Sequence, residues 1–381
     1  MRYLIVDADY PEFVQQLYAQ NPSLKGRSYE EQMRFRNERL YGMADYYSTN
    51  FKKLGYEAYD VWVNNEFLQR TWAKSHGLRP PRSWRWDFRL RRRFVPWVSR
   101  VPDKTWMFKI LAAQIQHYKP DVLINMMMGF IPPHFLQEIK QHARLIISWG
   151  SPWVRTLSQD PAAYRGLNHL VVSPSKTMVD YWNATGFKAD LLRHAFEPRI
   201  LSMIGPAADR SIPVSFVGLL RGSYAGRRAS LEFLCTRLRE EIFVWASSLE
   251  GLSSDSAIRE RHQGSAWGED LYRILSRSKM TWNNHHELAG NSADNVRMFE
   301  ATGTGTLLVT DWKDDLGTMF DIGKEVVAYR NIEECAELIR HYLDHPRERE
   351  EIALAGQKRT LQDHTYWHRA QQLADIAKRN L

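Results

Sequence analysis

Cysteine is nearly absent from this chain, since the only two, Cys235 and Cys335, lie far apart in the sequence. Both fall in segments with a helical pattern, so we expect buried free thiols in a reducing cytoplasm. This spacing indicates neither a disulfide framework nor a cysteine metal site. Long apolar runs are also lacking, and no stretch has the length of a helix that crosses a bilayer.

The first ten residues, MRYLIVDADY, have a short apolar run but lack the small-residue cleavage site of a signal peptide. Acidic residues follow the run at once, so the pattern favours a first β-strand. Together with the cysteine content, it predicts a cytoplasmic protein.

Acidic residues are outnumbered, with 44 Asp and Glu against 52 Lys and Arg, for a net charge of +8. This favours anionic partners without choosing among nucleotides, nucleic acids and acidic lipids. Much of the excess is local, in RPPRSWRWDFRLRRRFVPWVSR at 79–100, where arginines alternate with Trp and Phe. Such a segment is typical of nucleic-acid or anionic-membrane binding. Its prolines break any long amphipathic helix, and we expect a surface excursion whose aromatic side chains pack back on the domain.

The apolar and charged contents, 44% and 25%, are ordinary values that exclude a disordered chain. A chain of 381 residues exceeds the usual size of a single core, so two domains are expected. The segment LSMIGPAADRSI, with Gly205 and Pro206, is the best linker. We predict an N-terminal domain at 1–200, a linker at 201–212, a C-terminal domain at 213–360 and a final helix at 361–381.

Both halves alternate strands and helices, which predicts doubly wound parallel sheets. In the first half we predict strands at 3–6, 57–63, 121–126, 145–148 and 170–173, with helices at 29–54, 106–117 and 135–141. In the second half we predict strands at 214–217, 242–245, 280–283, 306–309 and 325–329, with helices at 227–238, 269–276, 296–302 and 332–343. The expected fold class is therefore α/β, with two Rossmann-like domains facing one another.

The most informative segment is MTWNNHHELAGNSADNVRMFEATGTGTLLVT at 280–310, which reads as strand, polar loop, short helix, glycine turn and strand. Asn295 is the expected N-cap. Gly303 and Gly305 are expected to end the helix and to form the turn before the next strand. Arg297 and Glu300 share one helical face. There a guanidinium can meet a diphosphate and a carboxylate can meet ribose hydroxyls. The alternative is a solvated ion pair.

Several segments resemble the donor half of GT-B glycosyltransferases, in particular the CgeB-like (spore maturation protein) branch with its C-terminal domain of the glycosyl transferases group 1 type. The segments are FVGLLRGSYAGRR at 216–228, GEDLYRILSRSKMTWN at 268–283, NVRMFEATGTGTLLVTD at 295–311 and HPREREEIALAGQKRTLQDHTYWHR at 345–369. HLVVSPSKTMVDYWNATGFKADLLRHAFEP at 169–198 resembles the end of the acceptor half. The resemblance implies a GT-B fold whose last helix returns to the N-terminal domain.

The resemblance also implies a nucleotide-diphosphate sugar bound mainly by the C-terminal half, without a metal or other cofactor. Glu300 matches the family's ribose-binding glutamate, and Gly303 and Gly305 match its tight turn. The loop after the first strand of the donor half, which approaches the diphosphate in the family, carries several candidates. Including neighbouring polar residues, the further expected donor-binding residues are Gly218, Arg221, Arg227, Arg228, Asn283, His285, Asn295 and Arg297.

The sequence departs from the broader family at the position of a second glutamate near the sugar. Ser292 occupies that position, and the nearest upstream glutamate is Glu287, thirteen residues before Glu300. Glu287 is therefore the candidate catalytic carboxylate on the donor side, if a longer loop delivers it to the sugar. This departure leaves both retention and inversion open.

Two motifs invite a metal interpretation. His285 and His286 precede Glu287, but adjacent histidines at a strand end point in opposite directions, so a hydrogen-bonding role is preferred. Asp7-Ala8-Asp9 matches a manganese motif of another glycosyltransferase fold by chance. If the enzyme inverts, Asp9 or Asp7 is the candidate general base. Helix capping or a turn is the alternative.

Loops at strand ends of the first half supply the acceptor-side candidates, which are Asn125, Gly129, Trp149 and His194. We therefore expect a glycosyltransferase of the hexosyltransferase type, acting on an unidentified hydroxyl-bearing acceptor. One alternative is a sugar-nucleotide epimerase or a related GT-B enzyme. Another is a non-enzymatic module that binds nucleic acid or membrane through 82–100. The same segment can also bring a transferase to an anionic membrane.

Overall fold

The computed structural model describes residues 1–91, 95–150, 164, 166–167, 169–206, 209–220 and 224–381. The first half contains β1 (Arg2–Asp7), α1 (Pro11–Gln20), α2 (Tyr29–Asn37), α3 (Tyr46–Lys53), β2 (Glu57–Trp62), α4 (Glu66–Ser75), β3 (Trp84–Arg91), β4 (Val95–Pro102), α5 (Thr105–Tyr118), β5 (Val122–Asn125), α6 (Pro133–Ile139), β6 (Leu145–Trp149), β7 (His169–Ser173), α7 (Lys176–Ala184), β8 (Lys188–Leu191) and α8 (Arg199–Ile204). The second half contains β9 (Ile212–Val217), α9 (Ala225–Leu238), β10 (Ile242–Trp245), α10 (Ala257–Arg261), α11 (Glu269–Arg277), β11 (Ser278–Asn283), α12 (Val296–Gly303), β12 (Leu307–Asp311), β13 (Val327–Tyr329), α13 (Ile332–Asp344), α14 (Pro346–Asp363) and α15 (Tyr366–Asn380).

The first lobe is built on a six-stranded parallel sheet in the order β2-β1-β5-β6-β7-β8. Its central strands are apolar and buried along their whole length, as in β5, because helices cover both faces. The second lobe has a five-stranded parallel sheet in the order β10-β9-β11-β12-β13. The predicted α/β architecture of two parallel sheets is confirmed, whereas the domain boundaries stay a prediction.

The last helix returns to the first lobe. Tyr366, in α15, packs against Tyr46 and Tyr47 of α3, with ring centroids 4.7 and 5.4 Å apart. A short parallel bridge joins Phe196 and Thr365 where the chain passes between the lobes. Both predicted features, the facing lobes and the returning helix, are therefore present.

The predicted helix at 29–54 is wrong, because the chain leaves the helix between α2 and α3. Leu40, Gly42 and Ala44 have positive φ values of 46°, 66° and 38° in this connection. A helix cannot continue through left-handed residues. Helix α1 was not expected, although Pro11 at its first turn is an ordinary start signal.

The basic segment folds as an antiparallel hairpin of β3 and β4. The aromatic side chains of Trp86, Phe88 and Trp97 are 48%, 74% and 49% exposed. The expectation that the aromatics of this segment pack back on the domain is therefore wrong for these three. Residues 92–94, between the two strands, lie outside the described residues.

Both cysteines are buried free thiols, as expected. Burial raises the pKa of the Cys235 thiol to about 12, so this thiol is inert at neutral pH. Within the described part of the chain, none of the helices combines the length and apolar character that crossing a membrane requires.

Candidate functional site

A cleft of about 720 Å³ lies between the two lobes, lined by loops that follow the carboxyl ends of their strands. Open parallel sheets bind ligands at this edge. The predicted site residues that line the cleft are Asp9, Trp149, His194, Gly218, Arg227, Asn283, Asn295, Arg297 and Glu300. Their roles stay predictions, but the fold brings them to one cavity from both lobes.

The start of α12 forms one part of the second lobe's wall. The Asn295 side chain accepts a hydrogen bond from the Arg297 backbone N–H at 2.8 Å, which confirms the predicted N-cap. The Arg297 guanidinium donates to the Glu300 carboxylate at 2.6 Å, and the Tyr272 hydroxyl donates to the same carboxylate at 3.3 Å. Both side chains of the ion pair are 13% exposed. The pair is thus positioned at a helix N-terminus, where backbone N–H groups and the helix dipole favour an anion.

The loop after β9 forms a second part of this wall. The Gly218 N–H donates to the Trp245 carbonyl at 3.0 Å, and a Cβ at Gly218 would lie 2.9 Å from the Phe216 ring. The Arg227 guanidinium donates to the carbonyls of Leu219 and Asn284 at 3.2 and 2.6 Å. Burial lowers the pKa of Arg227. Arg227 therefore holds two cleft loops together and places a cation at the cavity wall.

The other two arginines of this loop are placed differently. Arg228 donates to the Leu220 carbonyl at 2.6 Å and does not line the cleft. Arg221 lies outside the described residues, so its expected role stays a prediction.

The loop after β11 separates its two histidines. His286 lines the cleft, whereas the buried His285 has its Nδ1 atom 2.7 Å from Asp311. Although burial opposes it, the charges of His285 and Lys313 lower the pKa of the Asp311 carboxyl to about 2. The expected opposite orientation of adjacent histidines is confirmed, and His285 supports the loop behind the cleft. Asn283 also acts locally, donating to the Thr310 hydroxyl at 2.9 Å.

Asp294, immediately before the N-cap, is a cleft carboxyl that sequence reasoning missed. Burial raises its pKa to about 6, against the opposing charges of His285 and Lys313. Asp294 can therefore exchange a proton near neutral pH. Its position next to Asn295 was the only signal in the sequence.

Two aspartates follow β1 and face the first lobe's side of the cleft. The Asp9 carboxylate is fully buried in an ion pair with Arg36, whose Nε atom lies 3.2 and 3.3 Å from its two oxygens. The Arg36 guanidinium in turn lies 3.3 Å from the centre of the Trp62 ring. The Asp9 carboxylate is thus engaged by a guanidinium inside the protein, and its expected role as general base stays a prediction.

Asp7, the alternative base, forms no ion pair among the described residues, although the charge of Arg36 acts on its carboxyl. Its Oδ1 atom accepts the Ala8 N–H at 2.8 Å. Burial raises the pKa of Asp7 to about 7, and that value suits a group that takes a proton at neutral pH.

Trp149 and His194 lie together at the base of the cleft, with ring centroids 5.0 Å apart. Burial and the charges of Arg369 and Arg193 lower the pKa of His194 to about 3, so the imidazole is neutral. Within the described residues, its Nδ1 atom has no hydrogen-bond partner. A neutral ring with one unsatisfied nitrogen is able to bind a hydroxyl group.

The other acceptor-side candidates support the cleft instead of lining it. The Asn125 side chain accepts the Met127 N–H at 3.0 Å and donates to the Ser148 hydroxyl at 3.3 Å. Gly129 has a φ of 89°, which turns the chain so that Phe130 lines the cavity. Neither Asn125 nor Gly129 reaches the cavity wall.

Three donor-side candidates do not line the cleft, and their expected roles stay predictions. Glu287 is exposed outside the cleft, and its carboxylate faces Gly226 at the start of α9. Gly303 and Gly305 lie at the end of α12 that is remote from the cleft. A Cβ at Gly303 would lie 2.3 Å from the Phe196 ring, so this glycine permits close packing between the lobes.

Ser292, at the family's other glutamate position, makes a contact between the lobes. Its hydroxyl accepts the Thr177 backbone N–H at 3.1 Å. Ser292 is buried and does not line the cleft.

An aromatic cluster crosses the cleft. Tyr10 and Tyr41 of the first lobe lie 5.7 and 5.5 Å from the Trp267 ring of the second lobe. All three line the cavity, close to Trp245 and Ser247. Such rings offer stacking surfaces for a nucleobase or a sugar.

Metal binding would require several histidine, cysteine or acidic side chains close together. In the part of the chain that the structure describes, histidine, cysteine and acidic side chains do not assemble in groups of three that could hold a metal ion. The cations that reach the cleft wall are guanidinium groups, of which Arg297 and Arg227 are the best placed.

Comparison with known proteins matches residues 227–375 to a family described as glycosyl transferase-like. Three solved structures resemble the whole chain. They are sucrose-phosphate synthase of Thermosynechococcus elongatus (9% identity, 100% of this chain and 99% of that chain, TM-score 0.56), a glycosyltransferase of Rickettsia africae (10%, 100% and 98%, 0.58), and Anabaena HepE in complex with UDP (12%, 99% and 100%, 0.57). HepE has also been solved with UDP-glucose. No curated protein sequence matches the chain.

These comparisons confirm the fold class as GT-B, with two Rossmann-like lobes, across the whole chain. They also show that the second lobe carries a glycosyltransferase-like domain. The narrower resemblance to the CgeB-like branch stays a prediction.

Proposed function

We propose that this protein transfers a sugar from a nucleoside-diphosphate donor to a hydroxyl-bearing acceptor, without a bound metal. The observation that carries the proposal is the cleft wall at α12, where a capped helix N-terminus presents Arg297 beside Glu300. The glycosyl transferase-like family match supports the reaction class. HepE binds UDP and UDP-glucose, which makes UDP-sugars the first donors to test.

The donor would bind to the second lobe. The backbone N–H groups at the start of α12, with the guanidinium groups of Arg297 and Arg227, would neutralise the diphosphate. Glu300 would accept hydrogen bonds from the ribose, a role taken from the family resemblance. Gly218 would let the backbone approach the diphosphate because it carries no side chain. The base would then stack near Trp245 and Trp267.

In the reaction, the acceptor hydroxyl oxygen forms a bond to the anomeric carbon while the bond from that carbon to the diphosphate oxygen breaks. The leaving diphosphate takes the electron pair, and cationic groups stabilise its developing charge. The hydroxyl proton passes to a carboxylate on the acceptor side. Asp7 is the candidate we favour over Asp9, because its pKa is raised to about 7 and it has no paired guanidinium.

The donor site can be tested by calorimetric titration with UDP and then with GDP, dTDP and CMP carriers. Arg297→Ala and Glu300→Ala each remove a charged hydrogen-bonding group, so each should weaken binding about ten- to a hundredfold. Arg27→Ala is a matched control, because it breaks an exposed Arg–Glu pair outside the cleft. Unchanged affinity in the two cleft variants would show that the site is wrongly assigned.

Epimerisation of the same donor is the alternative reaction. An epimerase converts the sugar nucleotide without an acceptor, whereas a transferase alone produces at most slow hydrolysis. Incubation with donor alone, followed by separation of the sugar nucleotides, distinguishes the two. Rapid conversion without an acceptor contradicts the proposed transfer.

A further inference from the structure

We propose that the β3–β4 hairpin docks the protein on an anionic lipid bilayer. The two strands pair only with one another among the described residues and extend neither main sheet. A two-stranded hairpin gains little stability by itself in water. Its exposed residues are therefore available to another surface.

One face of this hairpin is apolar. Alternation places Trp84, Trp86 and Phe88 on the face that Val98 and Pro102 share through cross-strand pairing. Phe88 is 74% exposed and Val98 is 50% exposed. Soluble proteins seldom expose a contiguous group of large apolar side chains. Such a group therefore indicates a binding surface.

Cations lie on and beside this mainly apolar face, because Arg100 pairs with Trp86. The Arg100 guanidinium lies 4.4 Å from the Trp84 ring centre and 5.0 Å from that of Trp86. The Arg82 guanidinium lies 5.1 Å from the Trp84 ring centre. Guanidinium groups stacked on indole rings at an apolar face suit the headgroup region, where charge meets phosphate and rings meet acyl chains.

The charge of the molecule is concentrated in the same segment. Residues 79–100 contain eight arginines and one aspartate, a net charge of +7 out of +8 for the whole chain. The rest of the protein is thus almost neutral. Each cation near an anionic membrane surface adds to the attraction, so this segment dominates the attraction of the protein to such a surface.

The aliphatic side chains on the apolar face of the hairpin favour a bilayer over a nucleic acid as the binding partner. Single-stranded nucleic acids bind to aromatic platforms along a basic groove. Val98 and Pro102 offer no stacking surface for a base, and the described hairpin is a narrow ribbon instead of a groove. Burial in the acyl boundary uses all five apolar side chains of the face.

The chain leaves the hairpin near the first lobe's side of the cleft. Lys104, just beyond β4, lies 5.5 Å from the ring centre of Phe130, which lines the cavity. Docking through the hairpin would therefore hold the first lobe's side of the cleft close to the lipid surface. Bilayer binding itself does not depend on glycosyl transfer.

The test is flotation of the full-length protein with vesicles of phosphatidylcholine, with or without roughly a third phosphatidylglycerol. We expect binding to the anionic vesicles only. Trp86→Ser with Phe88→Ser should lower the partition coefficient at least tenfold, because two large apolar side chains are lost. Arg82→Gln with Arg85→Gln should lower it about tenfold or more.

Matched controls are Leu354→Ser, an exposed apolar residue of the second lobe, and Lys53→Gln with Lys188→Gln, which removes two exposed cations elsewhere. Both controls should bind like the natural protein. Equal binding of hairpin and control variants, or no preference for anionic vesicles, would overturn the proposal. Salt-sensitive binding to RNA or DNA without vesicle binding would replace it with the nucleic-acid alternative. Because UDP affinity is measured separately, failure here leaves the proposed reaction intact.

Discussion

Asp7 and Asp9 differ in what surrounds them, although both follow β1 and face the same cleft. Asp9 is neutralised by a buried guanidinium, whereas burial raises the pKa of Asp7 to about 7. Asp7 and Asp9 therefore have different expected roles. One ion pair holds the loop together, and one carboxyl is able to exchange protons.

Asparagine substitutions should separate these two roles. Asp9→Asn leaves the Arg36 guanidinium buried without its counter-ion, so the free energy of unfolding should fall by about 3–5 kcal/mol. Asp7→Asn should leave stability at pH 8 unchanged or raised, because burial disfavours the ionised Asp7. It should lower transferase turnover by about 10²- to 10⁴-fold. Denaturant unfolding and initial rates measure both effects, and a folded Asp7→Asn protein with full turnover would contradict the assignment.

The His194 imidazole should make the free energy of unfolding depend on pH below about pH 6.5. Its pKa is lowered to about 3 in the folded protein against 6.5 when unfolded, so the unfolded chain binds more protons between these values. Stability is therefore present above pH 6.5 and is lost as the pH falls, by up to about 1.4 kcal/mol per pH unit.

The check is urea unfolding from pH 7.5 to 4.5. His194→Gln should remove this ring's contribution to the pH dependence, whereas His345→Gln, at an exposed position, should leave the pH dependence unchanged. An identical pH dependence for His194→Gln and the natural protein would show that this ring titrates normally.

At the scale of elements, α12 combines a structural cap with the proposed anion site. Asn295→Ala removes the capping oxygen and should cost about 1 kcal/mol of stability. Asn295→Asp keeps an oxygen in place but adds a negative charge at the helix N-terminus. We expect near-natural stability and a loss of UDP affinity of at least tenfold, because the new carboxylate repels the diphosphate. Thermal unfolding with calorimetry measures both, and undiminished affinity in Asn295→Asp would place the diphosphate elsewhere.

Local signals predicted some elements well. Asn295 and the glycine turn after α12 were readable, because caps and positive φ values depend on residues close in sequence. The hairpin was missed although Trp84, Trp86 and Phe88 alternate with polar residues at the period of a strand. Prolines excluded a helix there, and the alternation should have been given more weight.

Contacts between distant residues could not be predicted in the same way. The Asp9 carboxylate meets Arg36 across 27 positions of sequence, and Ser292 meets Thr177 across 115. No periodicity in the sequence encodes such pairs. Asp9 was therefore proposed as general base, and Glu287 as the carboxylate near the sugar, only from their places in the sequence. Candidate residues at strand ends, such as His194 and Gly218, do line the cleft, because sheet topology decides where strand ends lie.

At the scale of the whole molecule, the first lobe depends on the returning helix. Tyr366 is buried against Tyr46 and Tyr47, and among the described residues its hydroxyl donates to the Met43 sulfur, at 3.1 Å. Tyr366→Ala should lower the free energy of unfolding by about 3–5 kcal/mol, because it opens a large cavity. Tyr366→Phe should cost little, because it removes only a weak hydrogen bond. Chemical denaturation compares them, and equal losses would assign the effect to the hydroxyl instead of the packing.

The two passages of the chain between the lobes run side by side. The Phe196 N–H donates to the His364 carbonyl at 2.8 Å, and the Tyr366 N–H donates to the Phe196 carbonyl at 3.0 Å. Two adjacent crossings of this kind form the pattern of a hinge between two lobes. If the lobes rotate about it, the distance between a donor bound on one side and an acceptor bound on the other changes with the hinge angle. His194, close in sequence to this hinge, would then move less than residues at the rim of the cleft.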